Sequence, residues 1–388
     1  MTRTVLLGDI CDIKIGRTPP RNQPQWFSES HGIKWVSIKD MGNTGKYISQ
    51  TSEFLTADAI KKFNIPIIPA GTLLMSFKLT VGRLGFTKYD MCSNEAIAQL
   101  PIKDVNVADK DYLYYYLSNF NFDSLSSTSS IATAVNSKTV KNIPIDLPPF
   151  DQQKKIADVL SSLDEKIELN RRMNETLEQL GQALFRHYFV DNPEVDSWEN
   201  GEVSDIVRVH SGFAFKSKDF DIDGRYGLVT IKNVQDGSFI KDCTDHLSEP
   251  LPDKIPDHVH LKSGDIILSL TGNVGRVCIV VGRDYLLNQR VAKLASAESQ
   301  AYVYFLFRSK TMKDRMVGIS KGTAQKNLSP IETGKLKIKI PPTNIMSQFE
   351  ENAMDLLNVI VSNNEQTQNL ISLRDSLLPK LISGEIEI

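Results

Sequence analysis

The side chains most able to do chemistry in this chain are cations, amides and hydroxyls gathered in short segments marked by glycine and proline. Gly16-Arg17-Thr18-Pro19-Pro20-Arg21-Asn22-Gln23 carries two arginines and two amides on a stiff loop. Ser211-Gly212-Phe213-Ala214-Phe215-Lys216-Ser217-Lys218 is its counterpart in the second half. Ser37 and Lys39, like Thr230 and Lys232, alternate with apolar residues and are expected on one strand face, with Asn233 following. Lys78 and Arg83 flank one turn, and Thr271, Asn273 and Arg276 flank another. Gly322-Thr323-Ala324-Gln325-Lys326-Asn327-Leu328-Ser329, preceded by Lys321, is rich in hydrogen-bonding groups; its counterpart is Ala132-Thr133-Ala134-Val135-Asn136-Ser137-Lys138. Such groups can bond to base edges and phosphates of a nucleic acid. An ordinary surface loop has the same composition, and Arg83 and Arg276 serve equally well as structural ion-pair partners.

Residues for catalysis do not assemble in the same way. There is no GxxxxGK[ST] phosphate loop and no glycine-rich cofactor turn between a strand and a helix. Asn192-Pro193-Glu194 departs at its third position from the Asn-Pro-Pro-aromatic motif of amino-methyltransferases. The histidines are scattered, and His258-Val259-His260 lacks a third metal ligand. Asp164-Glu165 reads as solvated charge on a helix. Cys11, Cys92, Cys243 and Cys278 lie far apart with no CxxC spacing, which fits reduced thiols in a cytoplasm better than zinc or disulfides.

The composition is that of a globular protein: 41% hydrophobic and 24% charged, over a length expected to form two or three domains. No apolar run reaches the roughly 18 residues of a membrane span, and the first residues lack a signal-peptide pattern. The net charge of −2 sets a condition on any nucleic-acid reading. Positive charge must then be local, or partner subunits must complete the clamp.

The chain repeats itself. Gly71-Thr-Leu-Leu-Met-Ser-Phe-Lys-Leu-Thr-Val-Gly-Arg83 returns as Gly264-Asp-Ile-Ile-Leu-Ser-Leu-Thr-Gly-Asn-Val-Gly-Arg276. At the same offset Val36 to Asp40 returns as Val229 to Asn233, and Pro148-Pro149 as Pro341-Pro342. Short β-branched runs at Ile33–Ile38, Thr72–Phe77 and Ile143–Leu147, with helical stretches at Ala57–Phe63 and Lys110–Asn119, predict a compact α+β domain.

Each copy is followed by a heptad seam. The first runs through Ile156, Leu160, Leu163, Ile167, Asn170, Asn174, Leu177, Gly181 and Leu184, with Asp151 as its N-cap and an end near Arg186 or His187. The second runs through Phe349, Ala353, Leu356, Ile360, Asn363, Thr367, Leu370, Arg374, Leu377 and Leu381. The expected division is 1–149, a first recognition domain; 150–190, a spacer helix; 191–342, a second recognition domain; and 343–388, a second helix and tail. If the second domain's ends lie close together, the helices pair as an antiparallel coiled coil with Asn170 opposite Asn363. The outcome is a pseudo-two-fold α+β protein whose rod, about 55 Å long, could hold two readers about one DNA turn apart.

Together these features resemble the specificity subunit of type I restriction–modification systems over essentially the whole chain. The resemblance rests on Gly264-Asp-Ile-Ile-Leu-Ser269 with Val274-Gly275-Arg276, Ser211 to Phe215, and Gly322 to Leu328. It rests also on Pro148-Pro149 with Gln152 to Ile156, and on Leu377 to Gly384. The first copy departs in lacking the glycine before Thr133-Ala134. The resemblance implies two target-recognition domains, each reading one half of a bipartite, asymmetric site in double-stranded DNA. It implies helices that dock two methyltransferase subunits, with two motor-endonuclease subunits joining the full complex. It also implies that S-adenosylmethionine, ATP and Mg belong to those partners, so that this chain holds no cofactor or metal and is not an enzyme. The alternatives are a related system whose partner fuses nuclease and methyltransferase, an assembly scaffold that does not touch DNA, and a nuclease with a degenerate site.

Overall fold

The computed structural model describes residues 2–42, 45–125, 136–322 and 326–388. The chain divides into two compact units. One comprises Met1–Glu168 with Asn369–Ile388, the other Leu169–Gln368. Both mix sheet and helix and contain a stretch of each of two long helices, Phe150–Phe189 and Thr343–Ser383.

In the first unit a five-stranded sheet runs in the order Lys14–Ile15, Ile97–Gln99, Leu73–Ser76, Leu84–Thr87, Tyr47–Ile48. Leu73–Ser76 is buried throughout, as a central strand covered on both faces should be. In the second unit the corresponding sheet is four-stranded, with Ile266–Ser269 again buried between Val291–Ala295 and Val277–Ile279. Each unit has a further four-stranded sheet. Each also has an antiparallel ribbon that ties its ends together: Arg3–Leu6 on Pro144–Leu147, and Glu199–Glu202 on Lys337–Ile340. In the second unit this ribbon brings the end of one long helix and the start of the other close together, so the two helical stretches run antiparallel.

The first long helix starts at Phe150, two residues before a helix capped by Asp151 would. Pro149 O accepts the first amides, from Gln152 and Gln153, so Asp151 lies in the first turn, where its charge favours the helix dipole, and is not the N-cap. Buried Gln153 fixes this start. Its amide nitrogen donates to Val107 O at 3.0 Å and Pro148 O at 2.8 Å, while its oxygen accepts from Asp109 N at 2.9 Å.

The heptad seam closes both cores. In the first unit Ile156 and Leu160 pack with Leu377, Leu378 and Leu381 into the cluster that holds Leu73 and Met75. Full burial of one such leucine contributes about 1.5–3 kcal/mol. In the second unit Leu177, Leu184 and Phe185 meet Phe349, Ala353 and Ile360. A side chain at Gly181 would place its Cβ 2.1 Å from the Phe305 ring, so glycine is what lets the helix approach that closely.

The polar middle of the seam is a hydrogen-bonded layer inside the second unit. Asn170 Nδ2 donates to Gln366 Oε1 at 2.9 Å, to Thr367 Oγ1 at 3.3 Å and to Asn363 O at 3.4 Å. Asn363 Nδ2 returns a bond to Asn174 Oδ1 at 2.9 Å, and Asn174 Nδ2 donates to Asn364 Oδ1 at 2.8 Å. Asn170 and Asn363 are equivalent positions of the repeat, as are Asn174 and Thr367. The Asn170–Thr367 and Asn363–Asn174 bonds are therefore reciprocal about a local two-fold, and a register slip would break the layer.

Asp164 corrects its reading as solvated charge. It is buried, takes Arg374 Nη1 on one oxygen at 2.8 Å and accepts the Tyr115 hydroxyl on the other at 2.6 Å. The partner Arg374 comes from the far end of the chain, so no local pattern reveals it. Asp164→Ala should destabilise the first unit by about 2 kcal/mol in urea unfolding, less than a fully orphaned buried charge because Asp375 still contacts Arg374. Replacing both partners by leucine should return stability to within about 1 kcal/mol of the parent, and an equal loss in both variants would contradict the pairing.

Candidate nucleic-acid interface

The repeated sequence builds the same hairpin twice. In the first unit the buried Ser76 hydroxyl donates to Thr80 O at 2.5 Å and accepts from Arg83 N at 3.0 Å, while Gly82 N donates to Ser76 O at 2.9 Å. In the second unit buried Ser269 makes the same bonds: to Asn273 O at 2.5 Å, from Arg276 N at 3.1 Å, and from Gly275 N to Ser269 O at 3.1 Å. Gly82 and Gly275 have φ of +88° and +80°, where other residues are strained, which explains the Val-Gly-Arg kept in both copies. Between the locks the tips differ: Lys78-Leu79-Thr80 in one, Thr271-Gly272-Asn273 in the other.

Arg83 and Arg276 belong to the scaffold. Arg83 Nη1 donates to Ile38 O at 2.8 Å, and Arg276 Nη1 to Gln235 Oε1 at 2.6 Å. Each ties its hairpin to the turn that follows a strand of the neighbouring sheet. Those turns replace the strand face expected for Ser37, Lys39, Thr230 and Lys232. The strands end at Val36 and Val229, because a side-chain cap stops them. Asp40 Oδ2 accepts from Ser37 N and Oγ at 2.8 and 2.7 Å, and Asn233 Oδ1 accepts from Thr230 N and Oγ1 at 2.9 and 3.1 Å. Asn233, expected to face DNA, is instead buried, with its amide nitrogen spent on Ile240 O and Asp242 O. Lys39 and Lys232 remain exposed on the turns. Burial would raise the Asp40 carboxyl, but hydrogen bonds from Ser52 and Ser37 outweigh it and hold the group below the usual carboxylate range.

In the second unit the expected contact residues come together. Lys321 and Asn327 exchange backbone bonds at 2.9 and 2.8 Å, Gly272 N donates to Lys326 O at 3.2 Å, and Leu328 N donates to Leu270 O at 2.7 Å. Asn273, Lys321, Lys326 and Asn327 are exposed around this junction, whereas the Thr271 hydroxyl is buried. A Cβ added at Gly272 would lie 3.4 Å from Ile231 Cδ1, so the turn bearing Lys232 is near it. Thr323 and Gln325 lie outside the described residues. Lys216 is exposed just before a separate short 3₁₀ turn, Ser217–Asp219.

In the first unit three expected contact residues are engaged at home. Arg17 Nη1 donates to Phe63 O and Asn64 O at 3.0 and 3.1 Å, at the end of the helix Ala57–Phe63. Thr18 bonds Glu95. Arg21 pairs with Glu53 at 2.7 Å and lies over the Phe27 and Trp35 rings. Lys78 and Lys138 are exposed. Thr133 and Ala134 lie outside the described residues. The serine locks and Leu79 were not singled out from sequence; comparing the two tips position by position would have exposed Leu79 opposite Gly272.

Two stretches of the chain, residues 2–179 and 195–371, match the family described as type I restriction modification DNA specificity domain. The chain belongs to that family. Each specificity-domain match contains one serine-locked hairpin and one capped turn. Relatives include the type I restriction enzyme MjaIX specificity subunit of Methanocaldococcus jannaschii, 28% identical over 407 residues, which span 98% of this chain and 92% of that protein. The HindI specificity subunit of Haemophilus influenzae is 24% identical over 336 residues, 67% of this chain and 72% of that one. Among solved structures, the S subunit of a type I restriction–modification system from M. genitalium has a TM-score of 0.60 at 14% identity and covers 98% of this chain and 96% of its own, which shows a shared fold.

The chemistry of this specificity chain outside the loops is subdued. Burial pushes the thiols of Cys11 and Cys278 up to about 12 and those of Cys92 and Cys243 to about 11, far from a reactive thiolate. Among the described residues no helix is long and apolar enough to cross a membrane. The Asp40 cap gives a pH test. Its folded pKa is lowered, so its stabilisation is present above the unfolded value of about 3.9 and is lost as pH falls through the folded one. Asp40→Ala should melt earlier than the parent at pH 7, and the gap should narrow below about pH 4; a gap independent of pH would refute the cap's ionised role.

Proposed function

We propose that this chain is the sequence-reading subunit of a type I restriction–modification complex, with each unit reading one half of a split, asymmetric site in double-stranded DNA. The observation that carries this reading is the pair of hairpins with the same lock and different tips. An invariant frame with divergent polar loops is what two readers of unlike sequences require. The exposed Lys321, Lys326 and Asn327 around the Gly272 tip supply phosphate and base-edge contacts in the second half.

The chain is non-catalytic in this reading and works in the cytoplasm. Two methyltransferase subunits dock on the long helices, where Val159 and Leu373 in the first unit and Leu169, Met173, Leu180 and Val359 in the second are 37–47% exposed. Two motor-endonuclease subunits join them. S-adenosylmethionine, ATP and Mg are held by those partners, whose positive surface also offsets the −2 charge of this chain on DNA.

Co-expression with the cognate methyltransferase subunit, followed by sequencing of adenine methylation in host DNA, tests the assignment. A bipartite asymmetric motif is expected. No motif, or one short contiguous motif, would count against it. In binding measurements with the same complex, Lys326→Ala should weaken all cognate duplexes alike and reduce the salt slope by about 1; an unchanged slope would remove Lys326 from the phosphate contacts.

A further inference from the structure

Leu79 combines three properties that do not favour one another. It is 94% exposed, more than any other large apolar residue described. It has φ of +62°, a left-handed conformation that penalises a branched side chain. It also stands at the centre of a three-residue turn closed by the Thr80 amide on Lys78 O at 2.8 Å, a turn that is strained when its middle residue has positive φ. Glycine would remove the strain, and the equivalent Gly272 of the other hairpin, with φ of +69°, shows that the frame accepts it.

The tip is held rigidly beneath this side chain. Ser76 anchors Thr80, and Gly82 is packed so tightly on the Phe122 ring that an added Cβ would lie 2.4 Å away. The tip projects past the ends of two strands of the five-stranded sheet, with an apolar apex flanked by exposed Lys78 and Thr80, and side chains that enter the major groove meet base edges. The one apolar group on a base edge there is the C5-methyl of thymine. Strain kept at an exposed position, with no packing in return, marks a contact made only with a ligand.

We propose that Leu79 is a specificity-determining residue that reads a thymine methyl in the half-site of the first unit, a contact the second unit lacks because Gly272 occupies that place. The proposal rests on the DNA-recognition reading above.

The full-length chain and a Leu79→Gly variant, each co-purified with the methyltransferase subunit, would be used to select duplexes from a randomised pool. Thymines of the selected site would then be replaced singly by deoxyuridine, which removes only the methyl. For the parent, deoxyuridine at one position in one half-site should weaken binding about three- to fivefold, the effect of burying one methyl group. Leu79→Gly should bind the thymine duplex weaker by the same factor, ignore that substitution, keep its response to the other half-site, and melt no lower than the parent. Equal sensitivity of both proteins to deoxyuridine, or insensitivity of both, overturns the proposal while a selected split site leaves the DNA-recognition reading standing. A variant that loses affinity while the parent ignores deoxyuridine also overturns it, pointing to a wedge between bases. If the parent selects no duplex, both readings fall.

Discussion

The first unit cannot complete its core from its own continuous sequence. Leu377, Leu378 and Leu381, from the last turns of the chain, fill the space beside Ile156 and Leu160, and Arg374 neutralises the buried Asp164. The chain must therefore return to where it began. In sequence the second unit, Leu169–Gln368, lies between the two segments of the first, and its ribbon Glu199–Glu202 on Lys337–Ile340 turns the chain back. Within that unit the reciprocal Asn170, Asn174, Asn363 and Thr367 bonds select one register from the several that leucine packing alone would tolerate.

The same separation of roles recurs on a smaller scale in the hairpins. A buried serine hydroxyl, a glycine with positive φ and an arginine tied to the neighbouring turn define the frame in both copies. Each is costly to change, because loss of the hydroxyl leaves backbone groups unpaired and a side chain at the glycine strains the turn. At the tip most side chains are exposed and carry fewer such obligations, the middle position's positive φ and buried Thr271 excepted. Sequence can diverge there without disturbing the fold, which is where a recognition surface has most freedom.

Features set by periodicity were legible in the sequence. The heptad spacing puts Leu160, Ile360, Leu381 and the Asn170–Asn363 layer at buried positions but picks Leu356 where Leu357 is the buried residue, and the expected helix Ala57–Phe63 and central strand agree with the fold nearly to the residue. Features set by distant partners were not. Asp164 pairs with Arg374 across 210 positions, and Arg17 is held by the carbonyls of Phe63 and Asn64, so both looked like free charge. Ser37 caps a one-turn helix, Ile38–Met41, where polar–apolar alternation over four residues suggests strand equally well. Leu79 is marked in the sequence only by its alignment with Gly272, and its strain and exposure emerge from the fold.

The central claim is that two equivalent frames carry two independent readers. It is tested most directly by replacing residues 195–342 with a second copy of residues 2–149, leaving both long helices intact, and selecting duplexes with the resulting complex. The account predicts a site with two identical halves, each matching what the first unit reads in the parent. Selection of the parent's asymmetric site by this folded variant would contradict it.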